Sequence, residues 1–306
     1  MQEEKQGSIY MALAFIMWGT FPLYWKMVEH VQSEEILAHR IIWSFCFMII
    51  LIFVQKQIFP LLKQLLEMVK QPKLFLNFIL SSVLISLNWF VFIWAVNHER
   101  VLETSLGYYI NPIVSVFLGR IFFNEKMNKG QQLAFVLAGI GVFVSAVEYG
   151  QIPWVSLILA LTFGFYGLTK KVIKLKASFS LTLETLLVLP IGILYVLYLQ
   201  LHDQSAFFIG DTKTTLLLMG GGIATAIPLL LFAMGASKIP LFMVGILQFI
   251  TPTMTFFIGV FLYHEPFTLV DLITFSFIWC GIIIFTFSQQ TLMNKLKIKN
   301  RKTIEM

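Results

Sequence analysis

The residues best suited to binding chemistry surround two prolines, Pro112 and Pro252, which lie inside long apolar stretches. A proline within a helix removes one hydrogen bond and displaces the carbonyl four residues earlier, which here belongs to Tyr108 or Gln248. Such a freed carbonyl can accept a hydrogen bond from a ligand. Polar residues recur around each proline at helical spacing and therefore share one helix face. The two sets are Tyr108, Asn111 and Ser115, and Gln248, Thr251 and Thr255.

These polar sets have two interpretations that do not exclude each other. They could line a cavity, because interrupted helices at matching places are a mark of transport sites. They could also serve helix packing, since small and polar side chains let membrane helices approach closely and hydrogen-bond.

Other polar and aromatic residues fall near the middle of apolar stretches. Asn88 needs a hydrogen-bond partner there, because an unsatisfied amide is costly in an apolar environment. With Trp18 and Tyr166 it could wall a cavity that favours aromatic or amphipathic solutes, or it could simply pack. Trp25 lies at the end of an apolar stretch and is predicted to be an interfacial anchor.

His39 and Arg40 begin a further apolar stretch and are candidates for recognising an anion at its outer end. A guanidinium holds a planar carboxylate in a two-pronged fork. The alternative is that both residues cap the membrane interface and pair with Glu34 or Glu35.

Glu184 is a carboxylate well inside an apolar stretch, and intramembrane acids are candidates for proton coupling. Against that role, an acid near the start of a helix is stabilised by the helix dipole. Lys170 lies near the end of another stretch, where we expect it to extend towards water rather than bind a ligand.

The elements that must position these residues follow from composition. Of 306 residues, 58% are hydrophobic and only 12% are charged, whereas soluble domains carry about a quarter charged residues. Lipid must therefore be the solvent, and a spanning helix needs roughly 20 apolar residues. The ten predicted spans cover residues 8–28, 36–54, 73–96, 104–123, 130–147, 153–170, 180–200, 214–236, 241–262 and 268–288. Glu3 and Glu4 precede the first span, which argues against a cleaved signal peptide.

The distribution of basic residues predicts the orientation. With a cytoplasmic N-terminus, all but four of the 22 lysines and arginines fall at or near the cytoplasmic side, as the positive-inside rule requires. The exceptions are Lys26, Arg40, Arg100 and Lys213. Both termini are then cytoplasmic, and the net charge of +6 reflects orientation rather than a nucleic-acid surface.

The surroundings of the two prolines form an internal repeat with a spacing of 140 residues. The matching pairs are Ile110 and Ile250, Pro112 and Pro252, Phe117 and Phe257, Gly119 and Gly259, Glu125 and Glu265, and Gly141 and Gly281. A repeat of five spans must be inverted in the membrane, an architecture typical of secondary transporters by analogy of fold. We therefore predict a first repeat over 1–148, a second over 149–290 and a basic cytoplasmic tail over 291–306.

Four segments carry a family resemblance: WGTFPLYWK at 18–26, EILAHR at 35–40, LETSLGYYINP at 102–112 and ATAIPL at 224–229. The chain resembles RarD-type proteins of the EamA family, within the drug/metabolite transporter superfamily. The resemblance implies a fold of ten transmembrane helices in two EamA-like repeats, located in the bacterial inner membrane. It also implies relatives that export amino acids, metabolites or drugs.

The function that these features predict is secondary transport, most simply export of a small amphipathic metabolite, amino-acid-like solute or drug by alternating access. The proton gradient or the substrate gradient would drive it. One alternative is a flippase for a lipid-linked carrier; a weaker one is a membrane-embedded enzyme, since the sequence holds no HExxH, GxSxG or Walker A pattern. Cys46 and Cys280 lie in apolar spans, so we expect no metal and no cofactor. The expected partners are a small solute, lipid and, for coupling, protons, in a monomer or homodimer.

Overall fold

The computed structural model describes residues 2–124, 127–148, 150–173, 175–207, 211–236, 238–239 and 241–304. Within these ranges the chain forms helices and no strand. The helices are α1 Gln2–Gly19, α2 Phe21–Lys26, α3 Ser33–Val54, α4 Ile58–Lys70, α5 Pro72–Asn97, α6 Val101–Phe123, α7 Lys129–Glu148, α8 Trp154–Ile173, α9 Ala177–Leu201, α10 Thr212–Ala236, α11 Leu241–Leu247, α12 Ile250–Phe257, the π-helical segment Ile258–Leu262, and α13 Leu269–Ile304.

The described residues contain eight helices that are long and apolar enough to cross a membrane. Two shorter apolar helices, Trp154–Lys170 and Ile250–Leu262, lie where the sixth and ninth spans are predicted. The predicted all-α polytopic membrane fold is confirmed, while the count of ten spans stays a prediction. The first span consists of α1 and α2, which are separated at Thr20.

The last helix differs from its predicted end near residue 288. α13 continues to Ile304, through the segment that the sequence suggested as a separate basic tail. The reason is local, because neither glycine nor proline occurs between Ser288 and Ile304 to stop the helix.

The helix α4 is an element that the sequence analysis missed. Two apolar stripes run along it at helical spacing. Ile58, Leu61, Leu65 and Met68 pack against the cluster that holds Phe78 and Leu183, while Phe59, Leu62, Leu66 and Val69 are exposed. The remaining side carries Lys63, Glu67 and Lys70. Apolar, exposed and charged faces on one short helix are typical of a helix lying in the membrane interface.

Helices from the two ends of the chain pack against each other rather than forming two separate bundles. Contacts join α3 to α9, α7 to α13 and α6 to α12, and likewise α5 to α8 and α1 to α10. Small residues permit the closest approaches. A Cβ at Gly107 on α6 would lie 2.8 Å from the Ser156 carbonyl oxygen on α8, and one at Gly222 on α10 would overlap the backbone of Trp43 on α3.

Candidate functional site

Arg40 lies two turns inside α3 and is only 3% exposed. Its Nε donates a hydrogen bond of 2.8 Å to Thr225 Oγ1 on α10. The guanidinium carbon lies 4.2 Å from the ring centroid of Trp89 on α5 and 5.2 Å from that of Trp25 on α2. Among the described residues no carboxylate is within ion-pair distance of Arg40. The structure therefore holds a buried cation by ring faces and one hydroxyl.

This position corrects two expectations. The alternative that Arg40 pairs with Glu34 or Glu35 at the interface does not hold, because it forms an ion pair with neither. Trp25 is no interfacial anchor, since it is 1% exposed and belongs to a buried apolar cluster. The first span is interrupted at Thr20 between α1 and the short helix α2, and Trp25 on α2 packs in that cluster.

Glu35 and His39 contact the connection between α9 and α10. The Glu35 carboxylate accepts hydrogen bonds from Ser205 Oγ and from the backbone N–H groups of Ala206 and Phe207. His39 is 2% exposed, with its ring centroid 4.4 Å from that of Phe207 and its Nε2 3.9 Å from Glu35 Oε1. Both carboxylate and imidazole thus serve the connection between α9 and α10.

Several buried donors near Arg40 have no hydrogen-bond acceptor among the described residues. They include the indole nitrogens of Trp25 and Trp43 and the hydroxyl of Ser44. Trp43 and Ser44 lie within about one turn of Arg40 on α3, and Trp25 contacts the guanidinium directly. The surroundings of Arg40 therefore hold several buried polar groups without a hydrogen-bond partner among the described residues.

Asn88 is fully engaged with protein. Its Nδ2 donates to the Leu159 carbonyl at 3.1 Å and to Thr162 Oγ1 at 2.9 Å, both on α8. Its Oδ1 accepts from the Tyr108 hydroxyl at 3.3 Å. The amide therefore joins α5, α6 and α8, and any role in solute binding runs through the partly buried Tyr108.

The two proline regions contact each other through neighbours of the predicted residues. Ser105 Oγ on α6 donates to the Pro252 carbonyl at 2.7 Å. The hydroxyls of Tyr109 and Thr253 are 2.8 Å apart. Ser105 and Tyr109 share one face of α6, while Tyr108 and Asn111 share another. The contact between the two proline regions is therefore made by sequence neighbours of the predicted residues.

The two prolines also affect their helices differently. α6 runs through Pro112 without a break. The ninth span, by contrast, is interrupted between Leu247 and Ile250. This interruption includes Gln248, which lies four residues before Pro252. Gln248 is half-buried in that interruption. Asn111 accepts from Ser115 at 3.1 Å, and Thr251 donates to the Phe15 carbonyl at 2.8 Å.

Glu184 on α9 is the centre of a polar cluster and is 1% exposed. Its carboxylate accepts hydrogen bonds from Ser81 Oγ on α5 at 2.6 Å and from the Tyr166 hydroxyl on α8 at 3.1 Å. It also forms an ion pair with Lys170. Ser180 Oγ, one turn earlier on α9, bonds both Lys170 and Glu184.

One prediction is wrong because of this cluster. Lys170 was expected to extend towards water, but a carboxylate within reach on α9 holds its ammonium inside the protein. Tyr166, predicted as a cavity wall, uses its hydroxyl to hold Glu184. Trp18 packs between the rings of Phe15 and Phe232, with centroids 5.6 and 5.7 Å away.

A pocket of about 300 Å³ lies at the beginnings of α6 and α13, away from Arg40. Its lining includes the acids Glu99, Glu103, Glu265 and Asp271. Glu265 accepts hydrogen bonds from the N–H groups of Val101 and Leu102 and so caps α6. Burial raises the pKa of the Glu265 carboxyl, opposed by these two donors. Its repeat counterpart, Glu125, lies outside the described residues.

The described residues contain no group of three or more His, Cys, Asp or Glu side chains placed to hold a metal ion. Cys46 and Cys280 are not joined in a disulfide.

Sequence reasoning found Arg40 and Glu184 but missed most of what surrounds them. Trp25, Ser81 and Thr225 come from other spans, and no local motif pairs them with Arg40 or Glu184. Trp25 and Thr225 had a signal of another kind, because they lie in the segments 18–26 and 224–229 on which the family resemblance rests.

Comparisons with known proteins agree on one family. Residues 5–147 match the model of the EamA-like transporter family. The chain is 52% identical to the uncharacterized transporter YojE of Bacillus subtilis (strain 168), over 94% of this chain and 95% of the relative. It is 38% identical to the protein RarD of Escherichia coli (strain K12), over 93% of this chain and 95% of that protein. One solved crystal structure shares the fold, with a TM-score of 0.59 and 14% identity over 91% of this chain and 96% of the other.

Proposed function

The chain belongs to the EamA-like transporter family, and on that premise we propose that it is a secondary transporter exporting a small amphipathic solute by alternating access. Candidate solutes are metabolites, amino-acid-like compounds and drugs. Homologue names and family point to a transporter rather than an enzyme. The chain is an integral membrane protein, and we propose the bacterial inner membrane as its location.

The observation that carries this proposal is the buried polar and aromatic centre around Arg40. Polar and charged side chains are expensive inside a membrane protein and commonly mark the path of a solute. Here they come from helices on both sides of residue 148: Arg40 on α3 and Thr225 on α10 are hydrogen-bonded across the two predicted repeats. A site shared by two halves can open to either side as the halves move.

The packing pattern supports two inverted repeats over 1–148 and 149–290. If each span corresponds to the one five spans later, α5 corresponds to α10 and α8 to the first span. The contact of α5 with α8 then has a counterpart in that of α10 with α1, and the contact of α6 with α8 has one in that of α12 with α1. Equivalent halves of this kind are common in transporters that work by alternating access.

The remaining parts of the proposal concern orientation and drive. Both termini are cytoplasmic, on the distribution of basic residues. The gradient of the solute, or of protons with Glu184 as the candidate coupling acid, supplies the energy. The partners are the solute and membrane lipid, without nucleic acid, and the protein acts as a monomer or homodimer.

An efflux screen in proteoliposomes tests this function. Vesicles containing the purified full chain and a mixture of small metabolites should lose one or a few solutes faster than protein-free vesicles. Movement of a lipid-linked sugar alone would show a flippase instead. Absence of any accelerated flux would contradict the proposal.

A topology reporter tests the orientation separately. A reporter that is active only outside the cytoplasm, fused after Met306, should remain silent. Activity there would contradict cytoplasmic termini and, with them, the inverted repeat.

A further inference from the structure

Building on the transporter function proposed above, we infer that Arg40 binds the carboxylate of the solute, and that the solute is an organic acid with an apolar or aromatic body. The inference names a substrate class for the centre around Arg40. It follows from hydrogen-bonding capacity, charge and the chemistry of the surrounding rings.

The guanidinium retains unused donors. An arginine side chain has five N–H groups and no acceptor. In Arg40 the Nε–H is taken by Thr225, and the terminal nitrogens make no hydrogen bond to any described residue. Two parallel N–H groups on one edge of a guanidinium match the two oxygens of a carboxylate.

The protein supplies no counter-charge to this cation among its described residues. Other buried ionic groups have partners. Glu184 forms an ion pair with Lys170, and Glu35 accepts hydrogen bonds from three donors in the α9–α10 connection. Ring faces attract the charge of Arg40 from Trp89 and Trp25. Ring faces attract the charge but are weak hydrogen-bond acceptors, so the terminal N–H groups are left for an external acceptor.

The same neighbourhood has further orphaned donors. The indole N–H groups of Trp25 and Trp43 are buried without an acceptor, although indoles usually find a partner when buried. Trp25 is 1% exposed and lies against Arg40. An anionic acceptor beside Arg40 would pair with its unused N–H groups, whereas an ammonium group would be repelled by the guanidinium.

The apolar character of the centre defines the rest of the solute. Phe21, Trp25 and Trp89 present rings around the guanidinium, and Phe92 lies against Tyr108. Apolar surroundings of this kind favour a solute with an apolar or aromatic body. A single buried cation without an ion pair among the described residues matches a monoanion.

Isothermal titration calorimetry on the purified full chain in detergent tests the inference. The probes are benzoate, 3-phenylpropanoate and hexanoate, each compared with its own amide, which has the same shape without the charge. At least one acid should bind about tenfold or more tightly than its amide. In Arg40→Gln that preference should disappear, and Arg40→Lys should retain part of it, because a lysine keeps the charge but loses the fork.

Two further variants serve as comparisons. Trp25→Phe keeps the ring and removes the N–H, so the acid should bind severalfold more weakly. Lys26→Gln removes a neighbouring cation that pairs with Glu29 at the surface, and it should leave acid binding unchanged. Equal loss in Lys26→Gln and Arg40→Gln would show a general charge effect and contradict the inference.

The inference is overturned if none of the three acids binds more tightly than its amide, or if Arg40→Gln binds them as the native chain does. The first comparison needs only the native chain, so it remains decisive even if Arg40→Gln fails to fold. Flux measurements on the same solutes separate the two proposals. Flux without a preference for acids would refute the carboxylate site and leave the transporter standing, while acid binding without flux of any solute would do the reverse.

Discussion

Two regions of the interior treat a buried charge in opposite ways. The Glu184 carboxylate collects donors from α5, α8 and its own helix, together with the ammonium of Lys170. The Arg40 guanidinium has ring faces and one hydroxyl. The protein thus neutralises the first charge and leaves the second without a counter-charge in the described residues. We interpret the first as a structural tie between helices and the second as a binding group.

The energetic reason for this distinction is the cost of burying charge. In a buried ion pair, the attraction between the two charges offsets much of the free energy of desolvation. When one partner is removed, the remaining charge is buried without that compensation. A buried charge without a partner is maintained against that cost, which selection tolerates where the charge performs a function. The same reasoning gives different expectations for mutations in the two regions.

Replacing Arg40 should have the largest effect on transport. We expect Arg40→Ala to lower flux of anionic solutes by about 10- to 100-fold, the equivalent of a lost hydrogen bond to a charged group. Neutral solutes should lose at most about twofold. Proteoliposome flux with matched acids and amides measures both. An equal loss of flux for charged and neutral solutes would assign Arg40 a structural role. Arg40 and Glu184 would then not differ in function.

Replacing Glu184 should mainly lower stability. Glu184→Gln leaves Lys170 without its counter-charge, and because that lysine is 29% exposed we expect a loss of ~2 kcal/mol rather than the full cost of a buried pair. Unfolding in detergent measures it. Adding Lys170→Met should recover most of the loss, since both charges are then removed together.

The opposite outcome would give Glu184 a functional role. If Glu184→Gln is as stable as the native chain but no longer responds to a pH gradient, the acid is the proton-coupling group. The matched double variant would then fail to restore gradient-driven flux.

The polar residues around the prolines should show intermediate effects. Asn111→Ala and Gln248→Ala should each reduce flux by about three- to tenfold, as expected for one neutral hydrogen bond, with expression and membrane insertion unchanged. Ser115→Ala removes only the local partner of Asn111 and is the control. Unchanged flux in both amide variants would indicate that these residues serve packing.

The smallest effect concerns the hydroxyl that positions Arg40. Thr225→Val removes the acceptor of the Nε–H and should weaken acid transport by about threefold. Thr182→Val is a matched control, because Thr182 is also buried and bonds only within its own helix. A larger loss in the control would show that buried threonines matter for stability alone.

The membrane spans were predictable because hydrophobicity over about 20 residues is a local property of the sequence. Eight long apolar helices and two shorter ones lie where the spans were expected. The helix α4 was not predicted because its 13 residues are too few to span a membrane and because its apolar positions lie on two faces. The continuation of α13 to Ile304 was not predicted, because hydropathy indicates where an apolar run ends and not where a helix ends.

The candidate site was predictable only in part. Arg40 and Glu184 stand out as charges within apolar stretches, but their partners come from distant spans. Thr225 is 185 residues from Arg40, and Ser81 is 103 from Glu184. Local sequence also favoured water over a carboxylate for Lys170 and the interface over the core for Trp25, and tertiary packing reversed both.

The most direct test of the account is ligand-dependent thermal unfolding of three proteins: the native chain, Arg40→Gln and Glu184→Gln. A ligand at about 100 times its dissociation constant stabilises the folded protein by about 2.7 kcal/mol. We predict that a saturating organic acid raises the melting temperature of the native chain and of Glu184→Gln alike, the latter from a lower starting point, and that it leaves Arg40→Gln unmoved. A ligand shift that persists in Arg40→Gln and vanishes in Glu184→Gln would contradict the assignment of binding to Arg40 and of structure to Glu184.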